Sequence, residues 1–178
     1  MICLTILFGL YCLTVSAEYK AVDELDLSSY MGKWYQVYQD NFNKLFQGIG
    51  KCSTATYELV EDNKVSVFNK QVNEQNEIEQ IAGYAYYKDE DYGGYLTVKL
   101  EDLPEAPYWV LELGPIDNDL YDYSIVSDDK ALSLFVLTRD VDKFYKNYND
   151  HVLESLKNLG FTKKYNMPLV MNQTDCFN

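Results

Sequence analysis

The chain has 178 residues, with 28 acidic against 15 basic side chains and a net charge of −13. That balance excludes a nucleic-acid binder, whose partner's phosphates demand basic patches, and it disfavours anionic membrane surfaces. A single histidine among these residues also leaves no multi-histidine metal site.

Residues 1–17, MICLTILFGLYCLTVSA, carry no charge and end in Val15-Ser16-Ala17, small residues of the kind a signal peptidase reads. Charged Glu18 and Lys20 follow. The stretch predicts a cleaved signal peptide and hence a secreted, extracellular protein with no membrane anchor after cleavage. An uncleaved anchor is the rival reading, since seventeen residues sit at the short limit for spanning and no Lys or Arg precedes the run. Bulky Tyr11 before Cys12 argues against a lipoprotein anchor. Cleavage leaves residues 18–178, about 160 residues and a single domain with a sizeable core. Cys3 and Cys12 leave with the leader. Cys52 and Cys176 remain, either as two free thiols or as a pair; paired, they would close a loop of about 125 residues worth about 4–5 kcal/mol in the chain-entropy model.

The body then alternates. A strand opens at Gly32-Lys33-Trp34 and runs on through Gln36 and Tyr38. Thr54–Val60 puts Ala55, Tyr57 and Leu59 on one face, and Glu61-Asp62-Asn63-Lys64 reads as a hairpin turn into Lys64–Asn69, with Val65 and Val67 sharing a face. Ile78–Tyr87 follows. An acidic run, Asp89-Glu90-Asp91, reads as a solvated loop in preference to a calcium site. Gly93-Gly94 precedes Tyr95–Leu100, where Leu96, Val98 and Leu100 align. Pro104 and Pro107 mark a turn before Tyr108–Leu113, Gly114-Pro115 marks another before Tyr121–Ser127, and Leu132–Thr138 closes the series. About eight strands joined by short turns predict an all-β antiparallel meander, closed as an up-and-down barrel or packed as a sandwich.

The period changes after residue 139. Phe144, Tyr148, Val152, Leu156 and Leu159 recur at helical spacing, with Asp140 and Asp142 suited to the start and Lys157 and Gly160 to the end. One amphipathic α-helix is expected outside the barrel. His151 falls in it, partly exposed. Asn172-Gln173-Thr174 is an N-glycosylation sequon, which identifies Asn172 as a candidate acceptor.

Gly32-Lys33-Trp34 at the first strand, about eight strands, Arg139 after the last and a helix beyond resemble the lipocalins. Cys52-Ser53-Thr54-Ala55-Thr56-Tyr57, Ala106-Pro107-Tyr108-Trp109-Val110-Leu111 and Asp175-Cys176 are similar to the subgroup of apolipoprotein D, bilin-binding and bacterial lipocalins, over about residues 25 to 176. The resemblance implies an eight-stranded barrel, Trp34 across its closed end, Gly32 turning the chain beneath, and Arg139 stacked on the indole. It also implies a bond between Cys52 and Cys176. Two departures stand out: apolipoprotein D's second disulfide has no counterpart, and the family's middle motif is blurred across residues 117–123.

A closed base leaves one mouth and an interior that can hold one small ligand. Counting by twos, partly guided by the resemblance, gives as lumen candidates Gln36, Tyr38, Ala55, Tyr57, Val65, Val67, Leu96, Val98, Tyr108, Val110, Phe135 and Leu137. An apolar lining with phenols suits a fatty acid, steroid, retinoid or tetrapyrrole. The bland counterpart is a barrel filled by its own side chains, and most of the seventeen tyrosines read as ordinary strand residues. Nothing resembles a Ser–His–Asp or Cys–His arrangement, so no catalysis, cofactor or metal is expected. The alternative function is a secreted effector or scaffold acting on another protein through loops such as residues 40–46, with Phe42, Leu45 and Phe46 exposed.

Overall fold

Alternating strands linked by tight turns pair most readily with their neighbours along the chain, and here the eight strands of the barrel do so, with the last closing onto the first. The computed structural model describes residues 19–43, 47–88 and 93–176, so the leader at residues 1–17, Leu45, Phe46 and the acidic run at residues 89–91 lie outside the described residues. A short helix α1 (Leu27–Tyr30), capped by the Asp26 carboxylate, leads into β1 (Gly32–Gln39). The meander continues through β2 (Gly50–Glu61), β3 (Lys64–Asn73), β4 (Ile78–Tyr86), β5 (Tyr95–Leu100) and β6 (Ala106–Leu113). A two-residue ribbon follows, β7 (Ile116–Asp117) and β8 (Leu120–Tyr121), turned by Asn118 and Asp119 at positive φ. Then come β9 (Tyr123–Ser127) and β10 (Leu134–Thr138). β10 pairs back onto β1, with Tyr35 opposite Thr138 and Gln36 opposite Leu137, so the eight strands β1–β6, β9 and β10 close as an antiparallel barrel. Closure removes the sheet edges that would otherwise offer unpaired N–H and C=O groups.

The helical stripe forms, but as two pieces rather than one. α2 (Val141–Asn147) and α3 (Asn149–Asn158) meet at Tyr148, whose φ of −121° departs from helical geometry. Asp140 caps the start by accepting the Lys143 amide at 2.9 Å. Gly160, at φ +93°, ends the run. Phe144, Val152 and Leu156 are buried against Val37, Leu111, Ile125, Leu134 and Val136, forming a second core on the outer face of the barrel.

The C-terminal tail is part of the wall. β1 and β2 pair only as far as Tyr35 and Thr54, and beyond that point β11 (Leu169–Val170) takes the free edge of β1. The Met171 amide donates to the Val37 carbonyl, and the Cys52 amide donates to Asn172. The Gln173 amide spans the gap, donating to the Gln36 carbonyl at 2.7 Å and the Ser53 carbonyl at 2.8 Å. Cys52 and Cys176 are joined as a disulfide just past this seam.

Candidate functional site

The barrel's base is built from one indole and one guanidinium. Trp34 is 0 % exposed, and the Arg139 guanidinium lies 3.6 Å from the centre of its ring. Such stacking gains roughly 1–2 kcal/mol when partly desolvated. Arg139 also donates to the carbonyls of Ser29, Tyr30 and Met31, the free C=O groups at the end of α1, and to those of Lys33 and Tyr121. Burial draws its pKa down to about 10, which leaves it charged at neutral pH. The Trp34 N–H donates to the Tyr30 carbonyl at 2.9 Å. Gly32 has φ +93°, and a Cβ there would lie 3.4 Å from an Arg139 nitrogen. Only glycine takes that bend at no steric cost.

Above the plug the inner wall is apolar. Ala55, Tyr57, Val65, Val67, Leu96, Val110 and Leu137 are buried in one cluster around Trp34 and Tyr30, with Val98, Tyr108 and Phe135 half-buried against it. Three phenols share the base: the Tyr108 hydroxyl lies 2.8 Å from that of Tyr30 and 3.1 Å from that of Tyr57, and Tyr30 reaches Ser124 at 3.0 Å. Burial pushes all three phenols up, Tyr30 to about 12, so each stays protonated at neutral pH. The space left between them, walled also by Leu25, Leu27 and Met31, is about 10 Å³, room for one water at most. Higher up, Val98, Leu100 and Phe135 point inward yet stay partly accessible to solvent. Side chains in a filled core would not.

Towards the mouth the lining turns polar. Gln36 accepts from Ser53 at 2.7 Å and from Gln47 at 3.1 Å, and Gln47 also donates to Ser53 at 2.8 Å. On β3, Asn69 and Gln71 continue the inward register of Val65 and Val67. A wider hollow of about 420 Å³ lies outside the barrel between residues 20–23, β6 and α3. It is open to solvent and edged by Lys20, Asp23 and Glu112, which makes it a poor seat for an apolar molecule.

Tyr38 is a correction. The expected inward position fails because β1 carries a bulge between Gln36 and Tyr38, where its pairing with β10 slips by a residue. A bulge reverses which face later residues present. Tyr38 therefore joins the outer core: its ring meets Phe144 edge-on, and its hydroxyl donates to Asn149 at 2.7 Å. Counting by twos also missed inner residues. Leu25, Tyr30, Ala85, Tyr87 and Val126 line the cluster. Ala85 and Tyr87 lay within reach of the same alternation, whereas Leu25 and Tyr30 belong to a segment with no strand pattern. His151 lies on the outer surface, 3.0 Å from Glu112, and Asn172 is exposed.

Comparison with known proteins agrees with this architecture. A family profile described as "Lipocalin-like domain" matches residues 25–168. The chain belongs to the lipocalin family. Its relatives include the outer membrane lipoprotein Blc of Vibrio cholerae serotype O1, 30% identical over 162 residues that make up 90% of each chain. Apolipoprotein D of Cavia porcellus is 35% identical over 92 residues, 50% of this lipocalin and 46% of that protein, so the match spans about half of that relative's length. Among solved structures, lobster apocrustacyanin A1 superposes with a TM-score of 0.58 at 18% identity, covering 82% of this lipocalin and 78% of that chain. At that identity the likeness concerns the fold alone.

Proposed function

We propose that this lipocalin is a secreted, non-enzymatic carrier of one small hydrophobic molecule, held in the barrel above the phenols. The observation that carries the reading is the contrast along the lumen: a base sealed by Trp34 and Arg139, and above it inward apolar side chains that water still reaches. Water against such surface is unfavourable at about 25 cal/mol per Å², so an apolar guest gains by replacing it. The lining assigned to the guest is Gln36, Ala55, Tyr57, Val65, Val67, Leu96, Val98, Tyr108, Val110, Phe135 and Leu137. Secretion is supported by the uncharged leader with its small-residue end and by the disulfide, which persists in oxidising compartments. Asn172, exposed on the tail, is the proposed glycan acceptor.

Catalysis is disfavoured because the usual general base and nucleophile lie elsewhere. His151 is outside the barrel and Cys52 is bonded to Cys176. One observation favours the alternative of an effector working through its loops, namely the 10 Å³ left among the phenols. Native mass spectrometry of protein purified from its own source separates the two. A co-purifying hydrophobic molecule at one per chain is expected; a barrel that stays empty there, and in screens of steroids, retinoids, tetrapyrroles and fatty acids, would give the role to the loops.

A further inference from the structure

One seam of the barrel wall is closed by a side chain rather than by strand pairing. β1 and β2 part after Tyr35 and Thr54, and each is irregular just there. β1 bulges between Gln36 and Tyr38, and β2 between Lys51 and Thr54, with Cys52 at φ +59°. A bulge bends its strand and interrupts the ladder, so two bulges side by side splay the strands towards the mouth. The Gln36 and Ser53 carbonyls, which border the gap, both accept from the Gln173 side-chain amide. Two acceptors cannot bond each other, so without that donor the gap is left to water. It runs from Gln36 to the end of β1 at Gln39, about 10 Å at the usual strand rise. Just inside lie the buried Gln36 and Ser53 side chains, bonded to each other at 2.7 Å, so the slot leads to the lumen.

The strap over this slot is the C-terminal tail. Besides Gln173, it is secured by the pairing of β11 with β1, by the Met171 amide on Val37, by the Asn172 carbonyl on Cys52 and by burial of the Met171 side chain. The covalent tie comes last, at Cys176. Cys52 is 7 % exposed, whereas Cys176 is only half-buried and follows the exposed Thr174 and Asp175. A thiolate arriving from solvent therefore meets the Cys176 sulfur first.

We propose that the tail is a thiol-releasable strap, and that reduction of Cys52–Cys176 opens the slot and speeds the guest's passage into and out of the lumen. The inference rests on the carrier reading above and adds a control to it. The co-reactant is a small-molecule thiol. Its thiolate attacks the Cys176 sulfur, the S–S bond breaks, and Cys52 leaves as a thiolate. A second thiol then attacks the mixed disulfide and frees Cys176. The protons of the two small thiols end on Cys52 and Cys176, and the two small molecules depart as one disulfide. A carrier loaded where disulfides persist thus unloads faster where thiols are abundant.

The test is stopped-flow exchange of retinol, cholesterol, biliverdin and palmitate, one guest from each class expected from the sequence. It uses the whole mature protein before and after treatment with excess 2-mercaptoethanol. Association and dissociation are both expected to quicken about tenfold on reduction, with the dissociation constant moving less than either rate. Gln173→Leu, with the disulfide intact, is expected to quicken both severalfold. Phe144→Ala, which weakens the outer core away from the seam, is expected to leave both rates unchanged. Rates unmoved by reduction, in a chain whose two thiols alkylation shows to be free, would overturn the strap and leave carriage standing. So would a disulfide that resists the thiol in the folded protein, or Phe144→Ala quickening exchange as much as reduction does. Binding of none of the four guests in either state would overturn carriage and the strap together.

Discussion

Asp40 is fully buried where β1 runs into the mouth loop. One carboxylate oxygen accepts the Asn43 amide at 2.7 Å, and the other has no hydrogen-bond partner among the described residues. Its pKa is pushed up to about 6, chiefly by burial and further by the nearby Asp128 carboxylate. An acid whose pKa rises on folding binds its proton more tightly in the native state. Native stability therefore increases as pH falls from above 6 towards the unfolded value near 4, and the deficit is fully present above pH 6. Asp40→Asn keeps the acceptor for Asn43 while removing the charge. It is expected to stabilise the protein by about 1–2 kcal/mol at pH 7.5 and by nothing near pH 4. Urea unfolding of both proteins at the two pH values checks this; equal stability at pH 7.5 would show that the carboxylate is well solvated.

At the level of elements, the tail acts as a slat in the wall. β11 and Gln173 occupy the seam that β1 and β2 leave open, and the disulfide fixes them there. Cys52→Ser with Cys176→Ser is expected to cost about 2–4 kcal/mol, the usual range for a long closed loop. The loss should be local before it is global. Hydrogen exchange should quicken first at the amides of Met171 and Cys52, which the tail secures, while the β3–β4 amides keep their protection. Uniform loss of protection would mean that the tail is integral to the whole barrel. The two helices behave differently: α2 and α3 cover the outer core through Phe144, Val152 and Leu156 and need no covalent link.

For the whole molecule, closure is the decisive property. The barrel joins at β1 with β10, and the plug of Trp34 and Arg139 sits directly below that junction. Trp34→Ala removes the buried indole and leaves Arg139 without its stacking partner, at an expected cost of about 3–5 kcal/mol. In a domain of this size that lowers the melting temperature by roughly 10 °C or more. Melting followed by circular dichroism would show it; an unchanged curve would mean that the guanidinium and its five carbonyls seal the base without the indole.

Much of this was written in the local sequence. Period-two alternation, turn residues and the Gly32-Lys33-Trp34 start gave eight strands in the observed order, because each strand pairs with its neighbour and its pattern repeats over several residues. Trp34, Arg139 and the joined cysteines followed from resemblance. What the pattern could not carry was any feature made by one residue against distant ones. The bulge that sends Tyr38 outward exists only in the pairing with β10, and the break at Tyr148 falls within an uninterrupted helical stripe. The entry of Leu25 and Tyr30 into the lumen depends on where a patternless segment crosses the base. Alternation names two faces; only closure of the barrel decides which is inside, and how much room the phenols leave.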